Sequence, residues 1–122
     1  MSNQVHQAAV LAVLESSRAE GSVVMLFPPS WTRMIPRHRD GLPDNVLARQ
    51  SHQEEKLKGL LIGSLIVVGE DHESEGLQLA LDRQLAAKNP RLILLQENSL
   101  TLLEDEELVE YRRKVLSIND DN

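Results

Sequence analysis

Acidic and imidazole side chains are concentrated in one short segment, residues 70–75, which reads Glu-Asp-His-Glu-Ser-Glu. Hard oxygen ligands with one imidazole suit Mg²⁺ or Mn²⁺, so Glu70, Asp71 and His72, together with Glu97, are candidate metal ligands. Glu70, His72 and Glu97 could instead act as general acid or base. A third interpretation needs no ligand, because carboxylates in a first helical turn are stabilised by the helix dipole. We prefer this third interpretation and expect no resident cofactor, with Mg²⁺ or Mn²⁺ as the alternative.

A basic loop is predicted at residues 28–43, which contain four prolines and the only Trp. Its guanidinium groups, Arg33, Arg37 and Arg39, and that of Arg49 shortly after it could hold an anionic ligand, since an Arg fork matches phosphate or carboxylate in two contacts. The alternative is that these arginines pair with the acidic segment. Trp31 could be a stacking platform or an interface anchor, or it could fold back over the end of the sheet. The candidate ligand-binding set is therefore Trp31, Arg33, Arg37 and Arg39.

Known catalytic motifs are absent from the sequence. The chain has no Cys, which excludes disulfides, thiolate catalysis and cysteine-ligated zinc. It contains no Walker A, GxGxxG, HExxH or EF-hand pattern. The triplet His38-Arg39-Asp40 is like the kinase catalytic loop, but its companion motifs are missing, and we interpret it as chance.

Hydrophobic periodicity supplies the elements that must position these residues. It predicts three strands, at residues 22–27, 65–69 and 92–96, and four helices, at residues 3–19, 44–60, 74–88 and 101–116. The segment LIVVG (65–69) is apolar on both faces, as is typical of a central parallel strand. Thr101 and Glu104 have the spacing of a capping box, and Gly21 suits a left-handed helix stop. Residues 50–56 are wholly polar, so we expect Gln53 to be exposed.

The alternation of strands and helices predicts one α/β domain over residues 1–122. We expect a three-layer α/β/α fold with a short parallel sheet of about three strands, about four helices and a frayed tail at residues 119–122. Parallel strands deliver the loops after their carboxyl ends to one rim, where ligands of such folds bind. Two unpaired sheet edges would remain, which favours a homodimer.

Charge and hydropathy limit the classes of partner. Residues 1–61 carry seven Lys and Arg against six Asp and Glu, whereas residues 62–122 carry six against thirteen. An acidic half disfavours binding to nucleic acid. The longest apolar run, residues 59–69, is eleven residues long, well short of the ~20 that a membrane helix needs. The first residues lack a positively charged leader, so we expect a cytoplasmic protein that does not bind membranes.

The stretch LKGLLIGSLIVVGEDHESEGLQLALDRQLAAKNPRLILL (57–95) resembles two known families. It is similar to nucleoside deoxyribosyltransferase-like proteins, in which an apolar strand precedes a Gly-containing helix start. That resemblance implies a catalytic Glu shortly after the Gly, where this chain has Gln78, Leu79 and Ala80. Through Gly69, Glu70, His72 and Glu97 the stretch also resembles the opening unit of the much longer TIKI-like hydrolases.

Two functions follow from these observations. We prefer a non-enzymatic module that binds a small anionic ligand or a protein segment at the carboxyl-end rim. The alternative is a small enzyme acting on a nucleotide-like or other anionic metabolite, either nucleoside deoxyribosyltransferase-like or a metal-assisted hydrolase. In that enzyme the arginines would hold the anion and Glu70, His72 or Glu97 would transfer protons.

Overall fold

The computed structural model describes residues 2–31, 35–69, 75–97 and 99–120. Its helices and strands are α1 (Ser2–Ser16), β1 (Ser22–Phe27), β2 (Val46–Gln50), β3 (Ile62–Val68), α2 (Glu75–Leu85), β4 (Arg91–Gln96), β5 (Ser99–Glu104) and α3 (Glu106–Asp120). Short 3₁₀ turns lie at Pro29–Trp31, His38–Asp40 and Glu54–Lys56. Within these residues, no helix combines the length and hydropathy needed to cross a bilayer.

The strands form one five-stranded sheet in the order β2-β1-β3-β4-β5. The first four strands are parallel, and β5 pairs antiparallel with β4. The prediction of an α/β fold with a mainly parallel sheet is therefore confirmed. The predicted counts of about three strands and about four helices are wrong, because the described residues form five strands and three α-helices.

The two central strands, β1 and β3, are buried on both faces. Val24 and Leu26 lie in a cluster with the inner faces of α2 and α3, whereas Val23 and Met25 lie in a second cluster beneath α1. Val67 on β3 is 3% exposed, as its two-sided apolar pattern predicts. Helices therefore cover both faces of the sheet, in the three layers that the sequence indicated.

Residues 44–60 do not form the predicted helix. They contain β2, an irregular segment and the turn Glu54–Lys56. Four of the strand's five residues are good helix formers, yet all five align in parallel with β1, from Val46 opposite Val23 to Gln50 opposite Phe27. Pairing with an apolar central strand thus overrides a weak local propensity. Gln53, three residues after the end of β2, is half-buried instead of exposed as predicted.

Residues 101–116 also differ from the prediction, because the Thr101–Glu104 pair belongs to a strand and not to a capping box. Only two residues connect β4 to β5, and the two strands align from Gln96 opposite Ser99 to Arg91 opposite Glu104. Asp105 then takes a positive φ of 49°. Its carbonyl accepts the backbone N–H of Val109, which begins α3.

The end of the first helix and the role of Gly21 also differ from the prediction. The first helix ends at Ser16, and Gly21 lacks the positive φ of the predicted left-handed stop. Gly21 is needed for close approach instead, since a Cβ there would lie 2.7 Å from the Leu61 carbonyl oxygen. Helix α3 continues through Asp120, and residues 121–122 lie outside the described part, so the frayed tail at residues 119–122 stays a prediction. The homodimer stays a prediction, although the sheet is wider than the three strands on which it depended.

Gln84 on α2 is 0% exposed, and neither its amide nitrogen nor its amide oxygen has a hydrogen-bond partner among the described residues. A buried amide without partners costs about 1–3 kcal/mol. We expect Gln84→Met, which keeps the length of the side chain, to raise the free energy of unfolding by about 1–2 kcal/mol in urea denaturation. Gln78→Met, at a half-buried position of the same helix, is the control and should change stability little. A loss of stability in Gln84→Met would contradict this reasoning.

Burial raises the pKa of Tyr111, on the inner face of α3, to about 12. Above pH ~10 the unfolded chain loses this proton while the folded chain keeps it, so stability falls as the pH rises towards 12. At pH 11 the loss should be about 1.4 kcal/mol relative to Tyr111→Phe, each protein being compared with itself at pH 8. Urea denaturation at the two pH values checks this, and the single Tyr allows an absorbance titration as well. Identical pH profiles for the two proteins would refute it.

Candidate functional site

The carboxyl ends of β1, β2, β3 and β4 lie at the same edge of the sheet, because these strands are parallel. The loops that begin at Pro28, Ser51, Gly69 and Glu97 therefore leave from one rim, as predicted for three of them. The loop after β2 was missed, because that segment was interpreted as a helix. In the sheet, β2 and β3 lie on opposite sides of β1. The chain therefore changes direction along the sheet next to β1, and the topological switch point lies between β1 and β3.

A cleft of about 420 Å³ lies beside edge strand β2; we call it the β2 cleft. Its polar lining residues are Arg37, His38, Arg49, Gln50, Gln53 and Lys56. Its apolar lining residues are Ile35, Pro36, Leu42, Val46 and Ala48. The volume is within the range typical of small-molecule sites. No carboxylate is among the described lining residues, so the cleft has basic side chains over an apolar wall.

The turn His38–Asp40 fixes one wall of the β2 cleft against the strand. The backbone N–H of Arg37 donates to the Asp40 carboxylate at 2.9 Å, and Gly41 follows with a positive φ of 101°. His38 Nε2 lies 2.6 Å from the Val46 carbonyl oxygen. Because a carbonyl can only accept, Nε2 carries the proton and donates, which leaves Nδ1 for another partner.

The cations of the β2 cleft are not neutralised by the described residues. Arg49 Nη1 donates to its neighbour's carbonyl, that of Ala48, at 2.9 Å, and Arg49 Nε is buried without a partner. Neither Arg37, Arg49 nor Lys56 has a carboxylate within ion-pair distance in the part of the chain that the structure describes. The only carboxylate on this turn, Asp40, accepts a backbone N–H instead. An anion entering the cleft would therefore meet unpaired positive charge.

Of the predicted ligand-binding residues, the structure places Arg37 in the β2 cleft. Arg39 is exposed on the same turn and does not line the cleft. Trp31 is half-buried, with its ring 6.1 Å from that of Phe27, and it packs on the cluster beneath α1. That contact agrees with the interpretation in which Trp31 folds back over the end of the sheet. Arg33 lies outside the described residues.

Of the candidate metal and proton-transfer residues, the structure describes Glu97. Glu70, Asp71 and His72 lie outside the described residues. Glu97 is exposed at the end of β4, three strands from β2 and hence about 14 Å from that edge. Among the residues that the structure describes, no group of three or more His, Asp or Glu side chains could hold a metal ion.

Two further basic residues of the β2 cleft, His38 and Lys56, were not among the predicted anion-binding residues. Lys56 was placed on the water-facing part of a predicted helix, whereas the structure places it on the turn Glu54–Lys56, where it lines the cleft together with Arg49 of β2. His38 was attributed to a chance triplet. The usable sequence signal was the turn chemistry of Asp40-Gly41, which fixes residues 38–41 as a tight turn instead of extended loop.

A second cleft, of about 720 Å³, lies at the amino ends of the parallel strands. Its charged lining residues have both signs: Glu15, Arg18, Glu20, Lys88, Arg91, Glu104 and Asp105. Glu15 is nearly buried, accepts the Ser64 hydroxyl at 2.9 Å and pairs with Arg91 at 3.3 Å. Because Glu15 and Arg91 pair with each other and Glu15 joins α1 to β3 and β4, we interpret this pair as structural.

No protein-family model, curated protein sequence or solved structure matches the chain. The two resemblances therefore depend on residues 57–95 and Glu97 alone.

Removing one partner of the Glu15–Arg91 pair should leave the other charge in a poorly hydrated position. We expect Glu15→Gln to lower the free energy of unfolding by about 2 kcal/mol or more. The double variant Glu15→Met, Arg91→Met should lose less than the sum of the two single variants, because it leaves neither charge unpaired. Arg113→Met, which breaks the exposed pair with Glu110, should cost less than about 0.5 kcal/mol. Strictly additive losses in urea denaturation would show that the pair is not coupled.

Proposed function

We propose that this protein is a non-enzymatic binding module for a small anionic ligand, which it holds in the β2 cleft. The main support for the proposal is that four basic side chains line one cleft: Arg37, His38, Arg49 and Lys56. No carboxylate is among the described lining residues of that cleft. In a protein with a net charge of −6, a local surplus of positive charge favours an anionic ligand over a neutral one.

The lining residues support a ligand with two parts. The guanidinium groups of Arg37 and Arg49 suit the paired oxygens of a phosphate or carboxylate, and Lys56 adds a point charge. The apolar wall of Leu42, Val46 and related side chains suits a hydrocarbon or ring portion. Phosphorylated or carboxylated small metabolites are thus the proposed ligand class.

Two features of Arg49 and His38 strengthen the argument. The Nε of Arg49 is buried without a partner, which costs free energy that a reoriented guanidinium on a bound anion could recover. The Nε2 of His38 is fixed on the Val46 carbonyl, so the ring is held in one orientation. A preformed site loses little conformational entropy on binding.

The alternative, a small enzyme acting on a nucleotide-like or other anionic metabolite, stays a hypothesis. It needs Glu70 or His72 near the anion, and both lie outside the described residues. Glu97 is three strands away from β2, too far to contact a ligand in the β2 cleft directly. Turnover of any ligand found by screening would favour this alternative.

A thermal-shift screen with nucleotides, sugar phosphates, inorganic phosphate, small carboxylic acids and divalent metal ions tests the proposal. Anions should raise the melting temperature in a concentration-dependent way, since a ligand that binds only the folded chain stabilises it. Isothermal titration should then give a single site. No stabilisation by any anion at low ionic strength would refute the proposal.

The substitution Arg37→Ala should weaken the anion found in this screen about tenfold or more, because a charge-assisted hydrogen bond is worth about 1.5–3 kcal/mol. Arg39→Ala is the matched control, since Arg39 lies on the same turn outside the cleft. Both variants should keep nearly the same stability, as should the double variant. If Arg37→Ala loses several kcal/mol of stability, the arginine is structural and the site loses its main support. Equal affinities for Arg37→Ala and Arg39→Ala would contradict the placement of the anion.

A further inference from the structure

The two edges of the sheet differ in how their outward backbone groups are covered. On β2, His38 Nε2 donates to the Val46 carbonyl and Arg49 Nη1 donates to the Ala48 carbonyl. On β5, no side chain or loop among the described residues hydrogen-bonds to the backbone on the outer side. The β5 edge is therefore open, whereas the β2 edge is partly blocked.

The open edge also lacks the features that usually prevent strand addition. The six residues of β5, Ser-Leu-Thr-Leu-Leu-Glu, include neither Pro nor Lys. The ladder between β4 and β5 runs through six residue pairs without a register shift, so no bulge turns the edge away. Natural proteins protect exposed edges with those devices, and an edge without them is suited to pairing.

Two leucines form an apolar surface on this edge. Leu100 is 53% exposed and Leu102 is 39% exposed. They lie opposite Leu95 and Ile93 on β4, both of which are buried in the cluster beneath α1. The apolar face of the sheet therefore continues from β4 onto β5, where the leucines are no longer covered. Residues at alternate positions of an added strand would pack on them.

Acidic side chains at both ends of β5 favour a partner with basic residues. Glu97 precedes the strand, Glu104 is its last residue, and Asp105 and Glu106 follow it, all of them exposed. The one basic residue opposite this end, Arg91, is already paired with Glu15. Two copies joined antiparallel through β5 would bring the acidic end of one strand to the acidic start of the other, which disfavours self-pairing.

We propose that the outer edge of β5 binds an extended segment of another protein as a sixth strand, with apolar residues at alternate positions and basic residues at its ends. Main-chain hydrogen bonds would supply the strand pairing, and contacts with Leu100 and Leu102 would supply the apolar specificity. This site lies at the opposite edge of the sheet from the β2 cleft, so the two proposals are independent.

The first test compares two labelled peptides, Lys-Lys-Val-Thr-Val-Thr-Val-Lys-Lys and the same sequence with Glu in place of Lys, by fluorescence anisotropy at low ionic strength. The basic peptide should bind at least tenfold more tightly, and added salt should weaken it. Hydrogen exchange of the β5 amides should slow when it is bound. Failure of the basic peptide to bind, or equal binding of the two peptides, would overturn the proposal.

The second test uses Leu102→Lys in the intact protein, with Leu61→Lys as the matched control because Leu61 is 72% exposed outside the sheet edge. The Leu102→Lys variant should bind the basic peptide at least fivefold more weakly, since it loses apolar contact and adds a like charge. The control should bind as the unmodified protein does. If sedimentation instead shows a dimer of the unmodified chain that Leu102→Lys converts to a monomer, a second copy occupies the edge and the proposal is wrong.

Discussion

The parallel pairing of β1 with both β2 and β3 is the interaction on which the rest of this structure depends. Both central strands carry aliphatic side chains on two faces, so each face must be covered. Helix α1 covers one face, and α2 and α3 cover the other. The core contains few aromatic residues, and it is therefore stabilised mainly by burial of Leu, Ile and Val.

The same pairing creates the β2 cleft. Because β2 is parallel to β1, the long connection between them must cross from the carboxyl end of one strand to the amino end of the other. That connection brings Arg37 and His38 to the edge where β2 presents Arg49. Three basic side chains from two distant segments are thus gathered by the path of the chain instead of by a local motif.

Sequence reasoning succeeded where one physical signal dominated. The strands around Val24, Val67 and Ile93 and the helix around Ala80 were predicted because burial imposes a strong hydrophobic pattern. It failed at β2 and β5, where helix-forming or capping residues lie in edge strands. The pattern Thr101-x-x-Glu104 satisfies the local rule for a capping box, yet a two-residue connection to β4 makes it part of an antiparallel ladder. Local propensities there differ by less than the free energy of joining a sheet.

By itself, the sequence determined that the chain forms an α/β domain with a largely parallel sheet, because two-sided apolar strands need helices on both faces. It also determined that Arg37 belongs to a basic connection after β1. Only the tertiary structure decided that Arg49 and Lys56 lie beside Arg37 and that Glu97 does not. The physical reason is that strand order and register follow from packing of the whole core, whereas the sequence pattern of a single strand specifies only its faces.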